Sequence, residues 1–356
     1  MFANKSNYME LKMLIENLRL QNGNWKVDGD NLSAYDVNLV SVFGDTKEFA
    51  NDVHFDFLKN KYPNAHIIGC SSAGNVLGSE ISDSTMIATA VCFEKSNIVV
   101  EKVEFENGDN ILQIAKELGE KFDTNGLKHI FLLADGLNLN GSELIRGFNL
   151  SVNVPVTGGL AGDNDRFETT FVMADDYAKQ RVIVAIGFYG DSLQIGNGYY
   201  GGWSEFGTFR TITKSKENVL YELDGKPALD LYKEYLGAYA DDLPNSGLRF
   251  PLSIKGEENS DTEVIRTLLA VDEVEKSITF AGDVPEGFTA RLMKPNIDLL
   301  IDGAGQAAQI AKKESKNRGL GLVVSCVGRR IVMSQLVDEE LEAVAEELGE
   351  NVQLTG

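Results

Sequence analysis

Val154-Pro155-Val156-Thr157-Gly158-Gly159-Leu160-Ala161-Gly162-Asp163-Asn164 reads as an extended segment that stops at a glycine and then turns through small residues. What precedes it completes a unit. An apolar run at 129–133 predicts a strand, and apolar residues at helical spacing predict a helix near 142–150. The same plan recurs on both sides. Earlier come a strand at 37–43, a helix near 51–61 and His66-Ile67-Ile68-Gly69; later come a strand at 320–327, a helix over 338–348 and Val352-Gln353-Leu354-Thr355-Gly356. A strand, a crossover helix and a returning strand make a parallel pair. The first returning strand also ends in small residues, Gly69-Cys70-Ser71-Ser72-Ala73-Gly74, so two turns can present backbone N–H groups with little side chain in the way.

Between these units lie β-rich stretches at 85–93, 98–105, 169–173, 181–189, 192–200 and 209–213, joined by short polar or glycine turns, which predict antiparallel meanders. Helices near 110–121 and 302–316 lead into the second and third units. The expected fold is α/β of the mixed α+β kind: repeated strand-helix-strand units with antiparallel meanders, mixed sheets covered by helices, and two domains, 1–217 and 218–356. The second domain opens with a strand at 218–223, a turn at Asp224-Gly225, and a helix with Pro227 in its first turn and Gly237 just past its end. Residues 240–259, broken by Pro244, Gly247 and Pro251, read as a long surface connection. A hairpin of 264–271 with 277–281 follows, then a turn at 282–287 into a strand at 289–293.

The chain has 356 residues, 43% hydrophobic and 24% charged, which suits a globular protein of one or two domains. Its formal net charge of -21 repels phosphate backbones and anionic lipid, so nucleic-acid binding and membrane insertion are not expected. Three widely spaced cysteines, Cys70, Cys92 and Cys326, fit reduced thiols in a cytoplasmic protein better than a disulfide framework. The opening Met1-Phe2-Ala3-Asn4-Lys5-Ser6 lacks the apolar core of a signal peptide, and no apolar run approaches a membrane span.

Several strings tempt an enzyme assignment. Gly196-Asn197-Gly198-Tyr199-Tyr200-Gly201 satisfies the dinucleotide fingerprint, but no helix follows for the pyrophosphate, so a glycine-rich hairpin is the reading. Gly303-Ala304-Gly305-Gln306-Ala307-Ala308 lies in a helix without the later acidic residue that would hold a ribose, and its small residues predict tight helix packing. The run Gly69 to Gly74 lacks the serine spacing of a nucleophile elbow. Cys70 could act as a nucleophile if His54, His66 or His129 approached it, although a buried thiol is the simpler reading. No zinc spacing, EF-hand loop or phosphate-binding loop appears, so neither catalysis nor a metal is expected. A lone histidine can ligate haem iron, and His66 is the candidate for that alternative. Arg266, in the apolar strand at 264–269, is placed outward by alternation.

Taken in order, Ile68 to Gly74, Gly158 to Asn164, Leu223-Asp224-Gly225-Lys226-Pro227-Ala228-Leu229-Asp230-Leu231-Tyr232, Ala281 to Gly287 and Ser325-Cys326-Val327-Gly328-Arg329-Arg330 resemble the FIST family, which pairs an N-terminal with a C-terminal FIST domain. The resemblance implies a bacterial-type cytoplasmic sensor of signal transduction that recognises small ligands such as amino acids. It implies a histidine kinase, chemotaxis receptor or cyclic-nucleotide enzyme as partner, and in some relatives haem-dependent nitric oxide sensing. The family pattern continues past the third returning strand into an aromatic turn, whereas this sequence stops at Gly356, so the resemblance implies a third turn beyond it. The predicted ligand site comprises Gly69, Cys70, Ser71, Ser72, Ala73 and Gly74, facing Gly158, Gly159, Ala161, Gly162, Asp163 and Asn164, with Tyr200 and Trp203 as an apolar wall. Ser71, Ser72 and Asn164 would give directional contacts, and Asp163 would hold an ammonium group. The ligand is expected to be an amino acid or small carboxylate, with a haem sensor or a cysteine-nucleophile enzyme as alternatives.

Overall fold

A computed structural model describes residues 13–29, 32–33, 36–82, 86–256, 263–313 and 319–356. Side-chain alternation decides how its sheets stack. Along Leu39–Gly44, Val40 and Val42 pack with Leu58 of the helix Val53–Lys61, while Leu39 and Phe43 point to the opposite face and meet a second sheet. Leu127–Ala134 behaves the same way. Phe131 and Leu133 meet the first sheet, whereas Ile130 and Leu132 pack under Leu118 and Phe148 of the helices Ile111–Gly119 and Gly141–Ser151. Strands buried on both faces need apolar residues at every position, which is why these runs are continuous rather than alternating. The first half is thus a four-layer stack of helix, sheet, sheet and helices.

The first sheet runs Val172–Ala174, His66–Ser71, Leu39–Gly44, Met86–Cys92, Leu14–Gln21, Asn24–Gly29. Only Leu39–Gly44 and His66–Ser71 pair parallel; the other neighbours are antiparallel. The second sheet runs Val156–Leu160, Leu127–Ala134, Val182–Tyr189, Asn97–Glu104, again with one parallel pair, between its first two strands. A nine-stranded antiparallel sheet, to which Ser204–Glu205 and Arg210–Lys216 of the first half contribute, wraps the helix Ala228–Leu236, whose Leu229, Tyr232 and Leu236 meet Leu252, Ile254 and Phe280. The third unit pairs Gly319–Leu322 parallel to Val352–Thr355, and its sheet is completed by Asn75–Leu77 and Glu80–Ser82 from the first half. The halves are therefore interlocked, and Thr89 donates to Thr355 across 2.8 Å in the buried seam between them.

The three units prove equivalent at one atom. A Cβ on Gly69 would lie 2.0 Å from the Val42 carbonyl oxygen, on Gly158 2.0 Å from that of Leu132, and on Gly356 2.0 Å from that of Val323. Each returning strand passes so close to its parallel neighbour at this point that only glycine fits, although the first two do not stop there as expected but run on to Ser71 and Leu160.

Other expectations need correction. Residues 192–200 form no strand: a Cβ on Gly196, Gly198 or Gly202 would meet the carbonyls of Ala311, Ala307 or Leu299, so the segment lies flat along the helix Ile297–Ala311 instead of folding into a hairpin. That helix starts earlier than expected, where Asn296 caps it by accepting the Leu299 N–H at 3.2 Å. The strand expected at 320–327 ends at Leu322, and a short helix, Val327–Met333, takes over. Within 240–259, Ser246, Gly247 and Leu248 are buried and Leu252–Lys255 is an inner strand; positions 257–259 lie outside the described residues. The expected strand at 264–271 is broken at Thr267, its first part pairing with Leu252–Lys255. Arg266 does not face outward: its Nε donates to the Asp283 carbonyl at 2.7 Å beside Ser142, at the contact between the halves. Among the described residues no helix is long and apolar enough to cross a membrane.

Candidate functional site

The glycine ends of the three units come together. Past Gly69 the first turn makes its last tie to its own unit when Ser72 N–H donates to the Gly44 carbonyl at 2.9 Å; past Gly158 the equivalent bond is Ala161 N–H to Ala134 at 2.8 Å. Beyond these points the two chains leave their sheets and lie on each other. Gly162 N–H donates to the Ser71 carbonyl at 2.9 Å, and a Cβ on Gly162 would sit 3.2 Å from the Ala73 nitrogen. Gly356 joins them by exchanging both backbone hydrogen bonds with Val76, at 2.8 and 3.1 Å. Among the described residues the Ala73 N–H meets no acceptor.

The polar side chains of the turns divide into two groups. Ser71 and Asp163 are buried and structural: Ser71 Oγ accepts the Phe171 N–H at 3.0 Å, and the Asp163 carboxylate accepts the N–H groups of Phe167, Glu168 and Thr169 at 3.2, 2.7 and 3.0 Å. The carboxylate expected to face an ammonium group is thus turned into its own loop, whose left-handed Asn164 and Phe167 need that brace. Ser72 and Asn164 are only partly buried. Ser72 Oγ bonds Asn75 Oδ1 at 2.6 Å, and Asn164 Oδ1 accepts from Arg330 Nη1 at 3.2 Å.

Arg330 is the residue that sequence reasoning missed. The helix Val327–Met333 brings it in, and that helix can approach because Gly328 passes the Leu248 carbonyl, where a Cβ would be 2.4 Å away. The guanidinium lies over Gly74, whose absent Cβ would be 2.8 Å from Nη1, and it reaches Asn164 on the other turn. Burial pulls its pKa down from the usual arginine value, yet arginine remains a cation at neutral pH. A positive charge therefore sits where the two turns meet. Its sequence signal was two adjacent arginines after Gly328, quoted above within the resemblance without a role.

The remaining predicted residues fall elsewhere. Cys70 is buried between the sheets and burial pushes its thiol up to about 12, so it is protonated at neutral pH. Gly159 is pressed by Val324, with a Cβ 2.8 Å from its Cγ1. Tyr200 packs over Gly303 of the helix Ile297–Ala311, and Trp203 joins Leu300, Met333 and Val337, so neither is placed against the two turns. His66 opens the strand that ends in the first turn, rather than sitting beside the turn, and its Nδ1 pairs with Asp175 at 2.6 Å. A surface cavity of about 290 Å³ adjoins the site, lined by Gly78, Ser79, Ala345 and the loop and strand 350–354. Among the described residues no cluster of His, Cys, Asp and Glu could hold a metal.

Comparison with known families bears on this arrangement. The FIST N domain matches residues 38–226 and the FIST C domain residues 228–356, so nearly all of the described chain is covered. The chain belongs to the FIST family. FIST domains mark a family of signal-transduction sensors. The FIST N match contains both glycine turns, and the FIST C match contains Arg330 and Gly356, so the candidate site is assembled by the two domains together. A relative, the uncharacterized protein MJ1623 of Methanocaldococcus jannaschii, is 25% identical over 306 residues, 80% of this chain and 59% of the relative. The chain thus spans about three fifths of that protein's length.

Proposed function

We propose that this FIST protein is a cytoplasmic sensor that binds an amino acid or small carboxylate where its glycine turns converge, and passes the event to a separate signalling partner. A histidine kinase, chemotaxis receptor or cyclic-nucleotide enzyme is the class of partner the family suggests. The single observation that carries the reading is the Arg330 guanidinium, half-buried between Gly74 of one turn and Asn164 of the other. Asp163 is spent on three amides, so the local chemistry favours an anionic group over an ammonium. A ligand carboxylate would take the guanidinium from Asn164 and the Ala73 N–H as a second donor, while the protein's overall negative charge discourages nonspecific anions. A charge-assisted hydrogen bond of this kind contributes roughly 1.5–3 kcal/mol.

Thermal unfolding across a panel of amino acids, small mono- and dicarboxylates and their uncharged amides tests the reading. A ligand at about 100 times its dissociation constant should stabilise the chain by about 2.7 kcal/mol. The carboxylates are expected to act, the amides to fail, and Arg330→Gln to abolish the response. No response from any carboxylate, or an equal response in Arg330→Gln, would overturn it.

A further inference from the structure

Arg330 has a neighbour that faces a different way. Residues adjacent on a helix point about 100° apart, so Arg329 leaves a different side of Val327–Met333. It is buried, and it holds three separate pieces, two helices of the second half and the glycine segment before it. Nε donates to Glu340 on the helix Val337–Leu348 at 2.6 Å, Nη2 to the Leu300 carbonyl on the helix Ile297–Ala311 at 2.5 Å, and Nη1 to the Gly201 carbonyl of the extended glycine segment. Met333, on the same short helix, packs with Leu300, Val337 and Trp203.

We infer that the helix Val327–Met333 is a relay, in which displacement of Arg330 at the turns moves Arg329 and Met333 and so repacks Trp203 and the segment 196–203 against the helix Ile297–Ala311. The inference rests on the proposed site for its meaning, but it concerns how occupancy is transmitted. The ends are built for it. At the input, Arg330 meets the backbone of one turn at Gly74 and the Asn164 side chain of the other, both in the first half; at the output, Gly196, Gly198 and Gly202 press on helix carbonyls with no side chain to absorb a shift. Close-packed interiors pass displacements on instead of damping them. Tyr199 and Tyr200, carried by the same segment, are exposed, so repacking there would alter what the surface presents.

The test needs no ligand. In Gly74→Ala the new methyl would lie 2.8 Å from Arg330 Nη1 and must displace the guanidinium. In a Trp25→Phe background, where Trp203 is the remaining tryptophan, acrylamide quenching of Trp203 is expected to rise in Gly74→Ala. Amide exchange in the helix Ile297–Ala311 is expected to quicken roughly threefold or more, within the range of coupling between contacting residues. Gly74→Ala combined with Arg330→Ala should match Arg330→Ala alone, since the methyl then has nothing to push. Unchanged Trp203 quenching and unchanged exchange at 297–311 in Gly74→Ala would overturn the relay, whatever happens at the turns themselves. Such a result would leave the ligand-dependent stabilisation of the unmodified chain untouched, so the two readings fail separately.

Discussion

Replacing Arg329 with methionine should be among the most damaging single changes in the second half. Arg329 and Glu340 are nearly inaccessible, with side-chain exposures of 8% and 6%, and their ion pair is reinforced by Ser325 Oγ donating to Glu340 Oε2 at 3.0 Å. Methionine keeps the volume and removes the charge, leaving Glu340 buried with one neutral partner and the Leu300 and Gly201 carbonyls without the donor they share. Breaking a buried pair on one side costs about 3–5 kcal/mol, because the remaining charge has lost its compensation. Removing both charges, as in Arg329→Met with Glu340→Met, avoids that penalty and should recover most of the loss. Urea unfolding followed through Trp203 in the Trp25→Phe background reports on this region directly. The reasoning fails if Arg329→Met alone costs less than about 1 kcal/mol, the value of an exposed pair. It also fails if the double variant is as unstable as the single one.

Three further outcomes follow from the same geometry. Gly158→Ala places a methyl 2.0 Å from the Leu132 carbonyl at a φ of 152°, and should cost about 3 kcal/mol or more; Gly78→Ala, at a φ of 64° with nothing within 4 Å, should cost clearly less in the same denaturation assay. Asp175 feels burial, which raises its pKa, but the His66 and Ile67 hydrogen bonds outweigh it and hold the carboxyl below the usual range. Its folded pKa is depressed, so the stability it confers is present above about pH 4 and lost as pH falls below that. Stabilities of the wild type and Asp175→Asn should therefore differ at neutral pH and converge in acid. Burial raises the Cys70 thiol to about 12 and also raises that of Cys92, where Asp36 and Glu94 add to the effect; at pH 8 a disulfide reagent should label the less buried Cys326 first and reach the other two only on unfolding.

Much of the fold was legible because its signals are local. Continuous runs such as Leu39–Gly44 declare strands buried on both faces, and a glycine recurring late in three similar units marked the place where each returning strand crowds its neighbour. What could not be read is what those glycines meet. The string from Gly196 to Gly202 looks like a hairpin until the helix Ile297–Ala311, about a hundred residues later, supplies the carbonyls it lies against. Likewise nothing near Gly74 announces Arg330, and nothing near Asp163 shows that its carboxylate bends forward to Phe167, Glu168 and Thr169 rather than outward. Arg266 fails for the same reason: alternation assigns it a face, but the Asp283 turn packs over that face and makes it an interior one.

Where a ligand lands decides whether the two glycine turns form the binding site. Titrating the ¹⁵N-labelled chain with the carboxylate that stabilises it most, and following amide shifts, locates the contact directly. The largest changes are expected at Ala73, Gly74, Gly162 and Asn164. Changes confined to the neighbouring cavity at Gly78, Ser79 and 350–354, or scattered away from both turns, would contradict that placement.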